Sequence, residues 1–259
     1  MWRLLPAGDG ALTNEVPGPR LTEGASIGAM SVQYECLPRA GLYPEAFGVA
    51  EPTVNIGPEV WPRREGLFIR LCSEAEAPPE GSEAVREREL VAGQLGLVPR
   101  WVKSVSDAKL RSTKLVNTRN ETVSTAKPSY DAWKAGQRCI VPMQAFHEDD
   151  FRGGKAVPTR IARVDGRPMG VAGLWEQWTG SAGEVIVSYT LLTVNANSHA
   201  LMHRYQQPGS EKRMLAVLNE GSFDAWLQAK PEKAKEFLRP YPAEKLTANP
   251  IESRRKDKG

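Results

Sequence analysis

Short apolar runs with polar connections between them dominate this chain, and they constrain its fold more than any other feature. The runs with the alternating or continuously apolar pattern of strands are 66–71, 93–98, 139–141, 158–162, 169–175, 185–194 and 214–218. Helical patterns suit 129–135, 222–228 (with Ser222 as its N-cap) and 232–238. Strands outnumber helices, and the short spacing between many of them disfavours repeated βαβ units. We therefore predict an α+β fold, a single compact domain around a curled, mostly antiparallel, barrel-like sheet with peripheral helices.

Composition divides the chain into a leader, a domain and a tail. Residues 1–29 are rich in Gly, Pro, Ala and Thr without sustained apolar periodicity. We interpret them as a disordered leader or an over-extended start, with Met30 as an alternative initiator. The domain is predicted over 30–250, interrupted by an acidic, exposed loop at 74–83, and 251–259 form a charged tail.

Overall composition excludes several classes of protein. The 259 residues are 41% hydrophobic and 25% charged, which is typical of a globular domain with a sizeable core. A net charge of +3 is too small to indicate a nucleic-acid partner by itself. No apolar stretch is long enough to span a membrane, so we predict a cytoplasmic protein with no membrane partner. The scattered cysteines and histidines predict no disulfide framework and no metal site, and we expect no cofactor and a monomer.

One stretch, 93–148, combines the side chains needed for chemistry on a nucleic acid. It contains carboxylates, small polar residues, the aromatic Trp101 and six cations between Arg100 and Arg119. Such a mixture can hold a phosphate backbone while it offers an acid and an amide to a reacting group.

Motifs spread over most of the domain resemble one known family. They are Gly-Leu-Val-Pro-Arg-Trp (96–101), Asn-Thr-Arg-Asn-Glu-Thr (117–122), Arg-Cys-Ile-Val-Pro with a downstream Phe-x-Glu (138–148), Ala-Gly-Leu-Trp-Glu-Gln-Trp (172–178), Leu-Leu-Thr-Val-Asn-Ala-Asn (191–197), Met202-His203 and Leu-Arg-Pro-Tyr-Pro-Ala-Glu (238–244). In this order they resemble the SOS response-associated peptidase family, also called the abasic-site-processing family. Each motif alone is a weak indication, but all of them in register are specific.

The resemblance implies both a fold and an activity. The family fold is a compact αβ domain around a curled, mostly antiparallel sheet with a positively charged groove, in agreement with the strand pattern. The implied partner is single-stranded DNA that contains abasic sites, and the implied activity is peptidase- or lyase-like processing in the DNA damage (SOS) response, with association with the nucleoid on DNA. In the family, the amine of a cysteine directly after the initiator methionine forms an imine with the sugar aldehyde, and its thiol closes a stable ring.

At this decisive position the chain departs from the family pattern. Met30-Ser31-Val32-Gln33-Tyr34 resembles the family's opening, with Ser31 where the cysteine belongs. A hydroxyl closes the ring less readily than a thiol, so the substitution leaves open whether a stable cross-link forms. Ser31 also needs a free amine, which requires either a start at Met30 or removal of the leader. Cys36, nearby in sequence, is either a substitute nucleophile or a small buried hydrophobe.

Three further residues match catalytic positions of the family. The resemblance implies that the amide of Asn117 positions the amine or the opened sugar, the alternative being an asparagine that closes a strand or turn. Glu148 would move protons at the imine, unless it is one acid of an acidic turn. His203 would transfer a proton at the sugar.

The candidate DNA contacts are Arg100, Trp101, Arg119, Lys212 and Arg213. Trp101 would stack on an unpaired base, an interaction of ~1–3 kcal/mol, or else pack in the core. The cations would hold phosphates, with a surface salt bridge as the alternative for Arg119.

Two functions of other classes also fit the sequence. A non-catalytic single-strand DNA-binding module would keep the groove and lack the covalent step. A self-processing peptidase would remove its own leader at Ser31. A cross-link to abasic DNA that survives heat or is trapped by borohydride separates the first from the family activity, and loss of the leader tests the second.

Overall fold

The computed structural model describes residues 33–72 and 87–251. Ser31, the leader predicted for 1–29, the loop predicted for 74–83 and the charged tail beyond Ile251 lie outside the described residues.

The described chain is rich in strands, as its apolar pattern predicts. The strands are β1 (Tyr34–Glu35), β2 (Glu59–Val60), β3 (Glu65–Leu71), β4 (Arg88–Leu95), β5 (Asn117–Arg119), β6 (Arg138–Met143), β7 (Ala145–Asp150), β8 (Val157–Arg163), β9 (Met169–Thr179), β10 (Val185–Asn195), β11 (Arg213–Leu215) and β12 (Leu246–Pro250). The α-helices are α1 (Leu42–Phe47), α2 (Val105–Ser112), α3 (Lys127–Lys134), α4 (Phe223–Gln228) and α5 (Pro231–Ala234).

Five strands close into a barrel. Their order is β10–β4–β3–β6–β9, and β9 pairs again with β10 to complete the ring. All pairings within the ring are antiparallel except the parallel pair β4–β10. Closure removes the open edges that would otherwise expose unpaired backbone groups. The prediction of an α+β domain around a mostly antiparallel, barrel-like sheet is confirmed.

A second, antiparallel sheet packs beside the barrel, in the order β12–β8–β7–β1–β2. The chain passes from the barrel strand β6 into β7 with only Gln144 between them. Because β7 carries Glu148, this crossing determines where the candidate catalytic carboxylate lies.

A buried tyrosine pair joins the two sheets. The hydroxyls of Tyr34 on β1 and Tyr189 on β10 are 2.5 Å apart, and both rings are buried. Gly66 on β3 leaves the space for this pair, because a Cβ there would lie 2.2 Å from the Tyr189 hydroxyl. The start of the described chain is therefore anchored on the barrel.

Several local predictions from the sequence are wrong in detail. The strand predicted for 214–218 ends at Leu215, and the helix predicted for 232–238 is α5 followed by a 3-10 turn. The strand predicted for 93–98 ends at Leu95, because Gly96 has a φ of +114° and turns the chain out of the sheet. Ser222 precedes α4, but its side chain does not cap the helix. Its hydroxyl donates to the carbonyl oxygen of Asn219 at 2.7 Å.

Candidate active site

Glu148 lies on β7 with only 1% of its surface exposed. It pairs with Thr159 of β8, inside the second sheet. A buried carboxylate requires polar partners, and one of them is the Gln206 side chain, whose Nε2 donates to Glu148 Oε1 at 3.3 Å. The acid predicted from the Phe-x-Glu motif is thus a buried, hydrogen-bonded carboxylate rather than an exposed member of an acidic turn.

Gln206 is the residue of this site that the sequence reading missed. It is buried and has a φ of +66°, a left-handed conformation that is uncommon for a non-glycine residue. Its backbone N–H donates to the Asp149 carbonyl at 2.9 Å. Its side-chain Nε2 donates to the Arg213 carbonyl at 2.8 Å, and its Oε1 accepts from the Arg213 N–H at 3.0 Å. No local pattern in Tyr-Gln-Gln-Pro identifies this role, since it depends on strands distant in sequence.

Arg213, on β11 of the barrel sheet, binds the Gln206 amide through its backbone and is fixed by its own side-chain contacts. Its side chain is 8% exposed, and both of its terminal nitrogens donate to Glu121 at 2.9 Å. It also donates to Glu211, to Asn120 and to the carbonyl and hydroxyl oxygens of Thr193. A contact to a DNA phosphate would have to compete with these protein acceptors.

Asn117 begins β5, opposite Leu191 of β10. Its side-chain Oδ1 is buried and accepts no hydrogen bond from the described part of the chain. Buried acceptors of this kind are uncommon and call for an explanation, such as a ligand that donates to them. The end of β5 reaches the Glu148 region through Asn120, Arg213 and Gln206 in turn.

His203 is an exposed residue of the 3-10 turn at Met202–Arg204, whose first residue, Met202, is buried. Its Nδ1 is 2.7 Å from the carbonyl oxygen of His199. The same loop continues into Tyr205, which bridges to Asp150 at the end of β7. The turn is therefore near the carboxylate strand, but the side chain that contacts Glu148 from this loop is Gln206.

The described chain begins beside Glu148. Gln33 accepts a hydrogen bond through its carbonyl oxygen from the backbone N–H of His147 at 3.1 Å. Glu35 on β1 then binds two neighbours on adjacent strands, the His147 ring at 3.1 Å and the Arg160 guanidinium at 2.7 Å through each oxygen. Partial burial alone would raise the pKa of Glu35, but the hydrogen bonds from Arg160 and His147 outweigh it and lower that pKa.

Arg100 and Trp101 lie on the loop that leads into α2. Arg100 forms a bidentate pair with the buried Glu176, at 2.9 and 3.0 Å. This pairing raises the pKa of Arg100. The Trp101 ring lies between two cations, with the Arg111 guanidinium 4.7 Å and the Lys127 ammonium 4.6 Å from the ring centroid. Trp101 also lines an open groove of about 460 Å³ with Lys127 and Tyr130.

Arg119 and Lys212 are the other candidate phosphate contacts. Arg119 is half exposed at the end of β5 and forms ion pairs with Glu211 and Glu121. Lys212 donates through Nζ to the carbonyl oxygens of Gln206 and Gln207 at 3.1 and 2.6 Å. Both cations therefore lie at the segment 205–212, which we call the Gln206 loop.

Cys36 is buried beneath a cavity of about 640 Å³ whose lining also includes Glu35, Glu59 and Arg160. Burial, with a smaller contribution from the Glu59 charge, raises the pKa of its thiol to about 11. A protonated thiol is a poor nucleophile, which favours the packing role for Cys36. Glu148 is not among the residues that line this cavity.

Two features are absent over residues 33–72 and 87–251. No three His, Cys, Asp or Glu side chains there are grouped so that they could hold a metal ion. No helix in those ranges has the length and apolar character needed to cross a membrane.

The fold and the site define a class of protein: a closed, mixed β-barrel with a second sheet, holding a buried carboxylate beside the start of the described chain. The family model described as SOS response associated peptidase (SRAP) matches residues 41–256. The chain belongs to the SRAP family.

Similar proteins support this assignment. The abasic site processing protein YoqW of Bacillus subtilis is 31% identical over 162 residues, which is 61% of this chain and 67% of YoqW. The abasic site processing protein HMCES of Gallus gallus is 24% identical over 225 residues, covering 79% of this chain and 62% of HMCES. A crystal structure of a Bordetella bronchiseptica protein is 37% identical and superposes with a TM-score of 0.75, over 85% of this chain and 99% of that one.

Proposed function

We propose that this protein processes abasic sites in single-stranded DNA as part of a DNA damage response. The observation that carries the proposal is the position of Glu148, which is a buried carboxylate. The residue before it, His147, donates a backbone hydrogen bond to Gln33, where the described chain begins. Relatives named abasic site processing proteins support the same activity. Asn117, with an unpartnered buried acceptor among the described residues, would receive a hydrogen bond from the amine or the opened sugar.

The proposed reaction starts at the amine of Ser31. Two residues of extended chain span at most about 7 Å, so Ser31 is within that distance of Gln33. The amine adds to the aldehyde carbon of the ring-opened sugar, and the resulting carbinolamine loses water to give an imine. Glu148 accepts a proton from the attacking amine and returns one to the departing hydroxyl. His203 would move the proton that opens the sugar ring.

Ser31 in place of cysteine determines how long the proposed linkage lasts. Addition of its hydroxyl to the imine carbon gives an oxazolidine, which hydrolyses more readily than the thiazolidine formed by cysteine. We therefore propose a reversible imine rather than a permanent cross-link. The cations Arg119 and Lys212 and the ring of Trp101 would hold the strand by phosphate contacts and base stacking.

The test uses a single-stranded oligonucleotide with one abasic site and two forms of the protein, one that begins at Met1 and one that begins at Met30. The mature N-terminus of each is determined by intact mass. We expect the form with Ser31 at its N-terminus to give a band on a denaturing gel only after treatment with borohydride, which reduces the imine. Ser31→Cys should give the band without reductant, and Glu148→Gln should slow its formation by about 10²-fold or more.

The substitution at Ser31 also favours a second candidate, a DNA-binding module without the covalent step. That function predicts salt-sensitive binding of the oligonucleotide and no band with borohydride from any form that carries Ser31. The same gel therefore distinguishes the two functions.

A further inference from the structure

The side-chain amide of Gln206 has only one orientation that satisfies its neighbours. The Arg213 backbone N–H can only donate, so the atom 3.0 Å from it must be the amide oxygen. The amide nitrogen then faces the Arg213 carbonyl at 2.8 Å and Glu148 Oε1 at 3.3 Å. One N–H of this nitrogen donates to the Arg213 carbonyl on β11, and the other is directed at the Glu148 carboxylate.

The backbone at Gln206 holds this side chain inside the protein at an energetic cost. A left-handed conformation in a non-glycine residue is strained and persists only where surrounding contacts impose it. Here those contacts are the Gln206 N–H to Asp149 carbonyl bond and the neighbouring bridge between Tyr205 and Asp150. Gln206 is thus bonded to the end of β7, the strand that carries Glu148.

Arg213, whose backbone binds the Gln206 amide, is itself held in place by its side chain. Arg213 is fixed by its bidentate pair with Glu121 and by its bonds to Thr193 and Asn120. The amide of Gln206 therefore links Glu148 on the second sheet to strands β5, β10 and β11 of the barrel side. Any rotation of the Glu148 carboxylate would break a bond in this connected set.

We propose that Gln206 is a positioning residue for Glu148: its amide, locked on the Arg213 backbone, orients the carboxylate for proton transfer with a donor that stays neutral at every pH. This inference rests on the proposed imine chemistry. It adds a role for a residue outside the set Asn117, Glu148 and His203. A donor without charge orients the carboxylate without adding a titrating group to the site.

Two substitutions at Gln206 should change the rate of imine formation with a different dependence on pH. Gln206→Met keeps the length of the side chain but removes the donor, so the rate of imine formation should fall about tenfold at every pH. Gln206→Glu places a second carboxyl group about 3.3 Å from Glu148. One carboxyl group of this pair can donate a hydrogen bond to the other only while the two groups share a proton.

The relative rate of a variant is its rate of imine formation divided by that of the unmodified protein at the same pH. We expect the relative rate of Gln206→Glu to fall at least tenfold as the pH rises from about 5 to about 8. The relative rate of Gln206→Met should be low and constant over that range. Gln228→Glu is the matched control, because it adds the same charge to an exposed side chain at the end of α4, outside the proposed site. Its relative rate should stay within twofold of one throughout, and all three variants should bind the abasic oligonucleotide within about threefold of the unmodified protein.

A relative rate for Gln206→Glu that is independent of pH, or a Gln206→Met variant as fast as the unmodified protein, would contradict the positioning role. Failure of the proposed function looks different, because the unmodified protein would then form no borohydride-trapped product. In that case the contact is tested by NMR on the full chain. The Gln206 side-chain amide signals should shift in Glu148→Gln relative to the unmodified protein, and amide signals unaffected by that substitution would refute the contact.

Discussion

Gly96 shows how one residue constrains a functional loop. It begins the segment 96–101, has a φ of +114°, and lies so close to α2 that a Cβ would be 2.2 Å from the carbonyl oxygen of Ser112. Only glycine fits both conditions, because any side chain meets backbone that cannot rotate away. The loop that carries Arg100 and Trp101 leaves the barrel through this position.

Gly96→Ala should lower the free energy of unfolding by about 2–5 kcal/mol, because backbone strain and steric overlap add. Two control positions separate these effects. Gly154 has a φ of +77° with open space around it, so Gly154→Ala should cost about 1 kcal/mol from strain alone. Gly153 has neither constraint, and its alanine variant should change stability by less than about 0.5 kcal/mol. Urea unfolding measures all three, and equal effects for Gly96 and Gly154 would exclude the steric contribution.

At the scale of elements, β1 is a two-residue strand that depends on side chains for its position. It pairs with β2 and β7, and Glu35 extends the connection to β8 through Arg160. A strand this short has too few ladder hydrogen bonds to be stable alone. The charged side-chain contacts of Glu35 therefore help to hold the start of the described chain beside β7.

Glu35→Gln should destabilise the protein by about 1–3 kcal/mol at neutral pH, since it removes charge-assisted hydrogen bonds. The pKa of Glu35 is lowered in the folded protein, so its stabilising contribution is fully present above the pKa of an unfolded glutamate, near 4.3. The contribution is lost as pH falls through the lower, folded-state pKa. Urea unfolding from pH 7 to pH 3 should show the two proteins converging below about pH 4. Glu45→Gln, which removes an exposed pair with Arg39, should show little difference at any pH.

At the scale of the whole molecule, the barrel and the second sheet meet at the site. Glu148 is contributed by the second sheet and Asn117 by β5 on the barrel side. The net charge of +3 is small, so any attraction for DNA depends on where the cations lie rather than on their total. Arg119 and Lys212 lie beside the Gln206 loop, where local positive charge would act on a bound strand.

Arg119→Gln should weaken binding to single-stranded DNA equally for intact and abasic strands. It should also reduce the slope of log K against log salt by about 0.7, because one phosphate contact is removed. Lys233→Gln is the matched control, a single charge removed from an exposed side chain on α5. Its salt slope should be unchanged, and an unchanged slope for Arg119→Gln would remove that residue from the proposed DNA contacts. Fluorescence anisotropy at several salt concentrations measures both.

Much of the fold and part of the site followed from local patterns. The strand-like runs became β3, β6, β8, β9 and β10, whereas the burial of Glu148 beside Asp149 and Asp150 has no apolar pattern to indicate it. The helix α2 was missed, although Ser104 accepts from the Asp107 N–H at 3.2 Å as an N-cap. Its apolar face is weak, because five of its eight residues are charged or are serine. The role of Gln206 was missed for a different reason, since its partner Glu148 is 58 residues away.

The amino-acid sequence by itself indicated most of the barrel strands and showed a serine at position 31, because an apolar run and a residue's identity are both local features. Only the tertiary structure decided that Gln206 contacts Glu148 and that Arg213 is held by Glu121 and Thr193. The physical reason is that closing a barrel brings together side chains from distant strands, and a left-handed residue aims one of them inward. Contacts of that kind have no local pattern, because their energy arises only once the sheets have packed.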